Sequence, residues 1–122
     1  MSFCNFSDHS VEKIGGTSMS NYRAVRDNII MRPRHGDSLY QRIYVVSAYG
    51  GITNDLLEHK KSGKPGIYSL FASSEQEDSW QGAIQSLKTK LHKINSSLFD
   101  DERSLKRANN FIDQRIGAAN TC

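Results

Sequence analysis

At 122 residues, with 37% apolar and 24% charged content, the chain has room for one domain of ordinary size and is neither fibrous nor low in complexity. Its net charge is +3 and the positive residues form no single run: Lys60, Lys61 and Lys64 make one small group, and Lys88, Lys90 and Lys93 with His92 another. No aromatic residues interleave with them as base-stacking platforms, so they read as solvated faces and argue against a nucleic-acid partner.

No apolar stretch approaches bilayer length, and the N-terminus has neither a basic start nor an apolar run, so a cytoplasmic protein with no membrane contact is expected. Cys4 and Cys122 have no metal-ligand spacing and read as free thiols. A mean hydropathy of −0.58 points to a modest core or to a helix that needs a partner.

Residues 1–8 read as a loose leader. Residues 9–14 form a short strand ended by Gly15-Gly16, after which Ser18 or Ser20 can cap a helix. Met19, Tyr22, Val25 and Ile29 fall on one face of that helix, which runs to about Arg32 and ends at Pro33 and the turn His35-Gly36-Asp37. Residues 43–48 form the second strand, whose Ile-Tyr-Val-Val core predicts burial on both faces of a parallel sheet. Gly50-Gly51 ends it, and Thr53 or Asn54 caps a helix carrying Leu56 and Leu57. The order strand, helix, strand, helix predicts parallel pairing, with ligands held beyond the carboxyl ends of the strands.

A turn at residues 62–66, a short helix at 67–72 and a polar loop at 73–78 follow. Trp80, Ile84, Leu87, Leu91, Ile94 and Leu98 then recur at spacings of 4, 3, 4, 3 and 4, a helix with a narrow apolar seam. After a break at Asp100-Asp101 the pattern returns in Leu105, Ala108, Ile112 and Ile116, which predicts an antiparallel helical hairpin. The alternative is a homodimer through the helical surface. Residues 117–122 carry no pattern and read as an unstructured tail.

The chemistry concentrates at the two glycine turns. A phosphate site needs outward backbone N–H groups, close approach and a cation. Lys13 supplies charge, and Gly15, Gly16, Thr17 and Ser18 supply donors, although in the common P-loop the lysine follows the glycines. A tight strand-to-helix turn with an incidental lysine is the plainer reading of this stretch alone. Ser47 and Thr53 flank Gly50-Gly51 and can hold a small polar substrate, though each hydroxyl by itself could be a cap. Asp8, Asp55, Glu58 and His59 read as capping or solvated groups rather than catalytic ones.

Lys13-Ile14-Gly15-Gly16-Thr17-Ser18 and Val45-Val46-Ser47-Ala48-Tyr49-Gly50-Gly51-Ile52-Thr53-Asn54 resemble the two N-terminal motifs of aspartate kinases, in the amino-acid kinase superfamily, with Ile14 in place of the usual Phe. Leu56-Leu57-Glu58-His59-Lys60-Lys61-Ser62-Gly63 is similar to the subtype associated with ectoine synthesis. The resemblance covers residues 9–116. It implies the N-terminal part of a three-layer, carbamate-kinase-like α/β fold, with a βαβα unit over 9–62 and a helical region over 67–116.

It also implies transfer of the γ-phosphoryl of ATP, with Mg²⁺, to the side-chain carboxylate of L-aspartate. Lys13 would neutralise charge on the phosphoryl, the Gly15-Gly16 amides would hold its oxygens with Thr17 and Ser18 beside them, and Ser47, Gly50, Gly51 and Thr53 would hold aspartate. Members of the family run to several hundred residues, so a truncated, inactive fragment is expected. The contrasting expectation is a non-enzymatic interaction module that uses the seam from Trp80 to Leu98.

Overall fold

The computed structural model describes residues 9–32, 34–73 and 77–120. The leader read at residues 1–8, Pro33, and residues 74–76 of the loop read at 73–78 lie outside them. The chain divides into two compact units, Met1–Gly51 and Ile52–Cys122.

The first unit is built on two parallel strands, β1 (Ser10–Ile14) and β2 (Arg42–Val46), in the register Ser10↔Arg42 to Ile14↔Val46. Between them run α1 (Gly16–Met19), α2 (Tyr22–Val25), a π-helical turn at Arg26–Ile30 and a 3₁₀ turn at Gly36–Tyr40. The single helix expected from Met19 to Arg32 is therefore broken twice. The first break is at Ser20-Asn21, where the Asn21 N–H turns back to the Ser18 carbonyl at 2.9 Å. The second is the π turn, in which the Met31 N–H reaches the Arg26 carbonyl five residues back at 2.8 Å. That extra residue rotates the helix face: Val25 is buried, but Ile29 is exposed and Ile30 takes the half-buried place instead.

Alternation along the strands sorts the sheet into two faces. On one, Ser10, Glu12, Arg42 and Tyr44 are half-buried and Ile14 is buried. Arg42, its side chain 5% exposed, donates to the carbonyls of Ile29 at 2.6 Å and Ile30 at 3.1 Å and pairs with the Glu12 carboxylate. It thereby satisfies carbonyls left over where the π turn ends. Its guanidinium also lies 4.9 Å from the centre of the Tyr44 ring. Burial pushes the Tyr44 hydroxyl pKa up, and the Arg42 charge opposes that shift.

The other face carries Val11 and Lys13 opposite Ile43 and Val45, all exposed. Here the expectation of a strand buried on both faces fails: Ile43 and Val45 are 45% and 51% exposed, and even Val46, which ends the strand on the first face, is 57% exposed. A β-branched run reports what a strand is suited to pack against, and within this unit the buried side chains lie on one face only.

The second unit begins with α3 (Ile52–Leu56), which buries Ile52 and leaves Leu56 exposed at its end; Leu57, expected on the helix, lies just beyond it and is exposed. Thr53 and Asn54 lie inside its first turn rather than capping it. The turn read at 62–66 is present: the His59 N–H donates to the Lys64 carbonyl at 2.9 Å, and Gly63 takes φ +68°. Gly66 packs so tightly that a Cβ there would lie 2.6 Å from the Leu57 carbonyl oxygen and 2.7 Å from that of Asp55.

Three helices complete the unit: α4 (Ile67–Ser73), α5 (Glu77–Leu98) and α6 (Glu102–Asn120). Phe71 of α4 meets Trp80 of α5 edge to face, with ring centres 5.5 Å apart. α5 and α6 pack antiparallel, as three cross-links in opposite sequence order show. His92 Nε2 lies 2.7 Å and Lys88 Nζ 3.5 Å from Asp113 Oδ1, and the Asn95 amide donates to Asn109 at 3.1 Å.

The six seam residues of α5 are half-buried or buried, with Leu87 the most enclosed. Lys90 pairs with Asp55 of α3 at 2.6 Å, so the second lysine group is partly tied into the unit rather than wholly solvated. Asp101 caps α6 by accepting the Ser104 N–H at 2.7 Å, and those bonds hold its carboxyl pKa below the usual range. α6 continues through Gly117 to Asn120, where the lack of periodicity predicted a tail. A helix already packed along one side can carry a patternless last turn. Residues 121–122 lie outside the described residues.

Candidate functional site

The two strands end side by side. The Ser47 N–H donates to the Ile14 carbonyl at 3.0 Å, which carries the parallel ladder one residue beyond β2 and brings both glycine turns to one edge of the sheet. Gly15 is extended (φ −75°, ψ 166°) and Gly16 opens α1. The first N–H groups of such a turn have no partner inside the helix, which leaves them for a ligand or for water.

The glycines of the two turns are not equivalent. A Cβ on Gly15 would meet nothing within 4 Å, whereas one on Gly16 would lie 3.0 Å from the Ala48 carbonyl oxygen. A Cβ on Gly50 would lie 2.7 Å from the Ser20 Oγ and 3.6 Å from the Gly16 carbonyl oxygen. Gly51 takes φ +87°, a conformation that favours glycine. A side chain at position 16 would thus press on the backbone of the second turn, one at position 50 would displace the Ser20 hydroxyl, and the positive φ at Gly51 favours glycine where the chain leaves.

Of the residues singled out in the sequence, Lys13, Gly15, Gly16, Thr17, Ser18, Ser47, Gly50 and Gly51 all fall in the first unit, within or just beyond the strand ends. Thr17, Ser18 and Ser47 are exposed. Lys13 stands opposite Val45 on the open face of the sheet, with no ion-pair partner among the described residues. Thr53 lies in the first turn of α3, which opens the second unit.

Neither Ser18 nor Ser20 caps a helix. The residues at the starts of α1 and α2 are Gly15 and Asn21, and neither makes a side-chain cap bond. Ser20 instead reaches across to the second turn: its hydroxyl donates to the Gly16 carbonyl at 3.1 Å and accepts the Gly50 N–H at 2.9 Å. Tyr49, between the serine and the glycines of that turn, is half-buried, and burial first, with Tyr22 second, raises its pKa. Nothing in a linear pattern marks either contact, since each depends on where the second strand lies.

Among the described residues no group of three or more His, Cys, Asp or Glu side chains could hold a metal, and no helix is long and apolar enough to cross a membrane. The edge therefore offers amides, hydroxyls and one lysine, donors that suit the oxygens of a phosphate or carboxylate.

Aspartate kinase Ask_Ect of Stutzerimonas stutzeri (strain A1501) is 51% identical to this chain over 114 residues, which is 93% of the chain and 24% of the relative. The resemblance drawn from the two turns is borne out by this similarity, which extends over nearly all 122 residues and supports a kinase assignment. The chain spans about a quarter of the length of the curated relative that it matches. No family model matches the chain, and no solved structure matches it.

Proposed function

We propose that the chain carries the phosphoryl-handling corner of an aspartate kinase, and that residues 9–116 form part of an amino-acid-kinase domain. The observation that carries this reading is the convergence of both glycine turns at one edge of a parallel pair, in a chain 51% identical to an aspartate kinase. In this proposal the first turn binds the donor: the Gly15 and Gly16 amides, with Thr17 and Ser18, hold the γ-phosphoryl oxygens of ATP, and Lys13 offsets their charge. The second turn binds the acceptor, with Ser47, Gly50, Gly51 and Thr53 orienting L-aspartate.

A side-chain carboxylate oxygen attacks the γ-phosphorus, the bond to the bridging oxygen breaks, and ADP leaves with that oxygen's electron pair, giving 4-phospho-L-aspartate. Phosphoryl transfer asks the protein for position and charge stabilisation rather than for a nucleophile, and these turns offer both. Mg²⁺ would supply further neutralisation while travelling on the nucleotide, and no residue of this edge is assigned to it. The product would feed synthesis of aspartate-family amino acids or of ectoine, in the cytoplasm.

Because about a quarter of the relative's length is represented, the 122 residues alone are proposed not to turn over. The test is a hybrid in which they replace the matching stretch of the Stutzerimonas kinase, assayed by aspartate-dependent ADP release. Activity lost on Lys13→Ala supports the reading, and an inactive hybrid, or one indifferent to Lys13→Ala, overturns it. The contrasting reading, a helical module that binds a partner through the Trp80–Leu98 seam, is disfavoured because α6 already packs along that helix.

A further inference from the structure

Ser20 follows the first glycine turn as a candidate helix cap, yet its hydroxyl bonds both glycine turns at once. Its proton goes to the Gly16 carbonyl at 3.1 Å and a lone pair takes the Gly50 N–H at 2.9 Å. A donor that is also an acceptor polarises the chain of bonds it joins, so the two contacts reinforce each other. The position suits the task, since Ser20 sits in the break that follows α1.

The surrounding glycines make the contact feasible. A Cβ on Gly50 would stand 2.7 Å from the Ser20 oxygen, and a Cβ on Gly16 would press on the Ala48 carbonyl at 3.0 Å. Glycine allows the approach and Ser20 holds it.

We infer that Ser20 is a positioning residue for phosphoryl transfer, fixing the spacing between the turn that holds the donor phosphoryl and the turn that holds the acceptor carboxylate. This rests on the aspartate kinase reading above. The attacking oxygen must come within about 3–3.5 Å of phosphorus and in line, and a displacement of about 1 Å costs on the order of 100-fold in rate. A latch between the two turns acts on that distance and leaves each substrate's own contacts in place. Its loss therefore lowers kcat more than it raises KM. Alanine has no group to bridge the turns, whereas threonine keeps the hydroxyl on Cβ.

Two measurements test the inference. In the full 122-residue chain, amide hydrogen exchange at Gly50 is slow with serine or threonine at position 20 and about tenfold faster in Ser20→Ala. In the hybrid kinase, Ser20→Ala lowers kcat by at least about tenfold with KM for ATP and aspartate within about twofold, and Ser20→Thr restores most of the rate. Gly50 exchange that ignores Ser20→Ala means there is no latch and overturns the inference. An active hybrid that Ser20→Ala leaves unchanged, or one whose KM rises while kcat holds, overturns the positioning role alone. An inactive unsubstituted hybrid overturns the proposed function, and the positioning role falls with it, whatever the Gly50 exchange shows.

Discussion

Arg42 and Glu12 meet diagonally across the two parallel strands, because Arg42 stands in register with Ser10 and Glu12 with Tyr44. Side chains two positions apart on neighbouring strands share a face, so a long arginine reaches the carboxylate without leaving the sheet. The same guanidinium takes the carbonyls of Ile29 and Ile30, and thus ties the end of the π turn to both strands. A two-stranded sheet is marginal by itself. Here a buried charge joins its parts.

Arg42→Met removes that junction, leaving the Glu12 carboxylate and two carbonyls without their partner. Removing one member of a buried pair is far costlier than replacing both, and a loss on the order of 3 kcal/mol is expected. Urea unfolding followed by circular dichroism should show a lower midpoint for Arg42→Met than for the double variant Arg42→Met with Glu12→Leu. Equal midpoints would mean that the pair is not coupled. Arg42→Lys keeps the charge but not the fork, and should fall between the wild type and Arg42→Met.

Three glycines that look alike in the sequence should behave differently when made alanine. Gly15 has open space and an ordinary φ, so Gly15→Ala should change stability by less than about 0.5 kcal/mol. Gly16→Ala presses on the Ala48 carbonyl at 3.0 Å and should cost about 1 kcal/mol or more. Gly66→Ala drives a Cβ to 2.6 Å from the Leu57 carbonyl, backbone that cannot rotate away, and should cost about 3 kcal/mol. Thermal unfolding of the three variants ranks them, and a Gly66→Ala protein as stable as Gly15→Ala would refute the packing assigned to this turn.

The parts legible in the sequence were those written locally. Both strands, the glycines that end them, the turn at Gly63 and the apolar seam from Trp80 to Leu98 depend on neighbours within a few residues. What escaped depends on the third dimension or on an extra residue in a helix. The π turn at Arg26–Ile30 shifts the face from Ile29 to Ile30, and no propensity marks it. The exposure of Ile43 and Val45 follows from which face is covered, a matter the strand's own residues do not encode. At the candidate site, the glycine pairs and their hydroxyls could be found by composition, but the bridge from Ser20 to Gly50 spans thirty residues and needed the parallel register.

The helical hairpin carries a polar pair inside its apolar seam. Asn95, 8% exposed, donates to Asn109 across α5 and α6, and counting apolar spacings passes over it. A buried amide with one matching partner favours the alignment that satisfies both. Asn95→Ala should destabilise the hairpin by about 1–2 kcal/mol, and Asn109→Ala by a similar amount. The double variant should lose less than the sum, by about 1 kcal/mol. Strict additivity in a double-mutant cycle would show that the two amides do not act together.

Acid should loosen the start of α6 through Asp101. Its carboxylate accepts the Ser104 N–H at 2.7 Å, a bond to the ionised form that lowers the folded-state pKa below the ordinary value of about 4. A depressed folded pKa contributes stability that is fully present above the unfolded value and lost as pH falls through the folded one. The loss should therefore appear below about pH 4 and be absent between pH 5 and 8. Asp101→Asn can still cap through its amide oxygen but has no charge to titrate. Amide exchange at Ser104, followed from pH 5 down to pH 2 and corrected for intrinsic rates, should show protection falling in the wild type and flat in Asp101→Asn. Parallel profiles in the two proteins would assign the acid sensitivity to some other group.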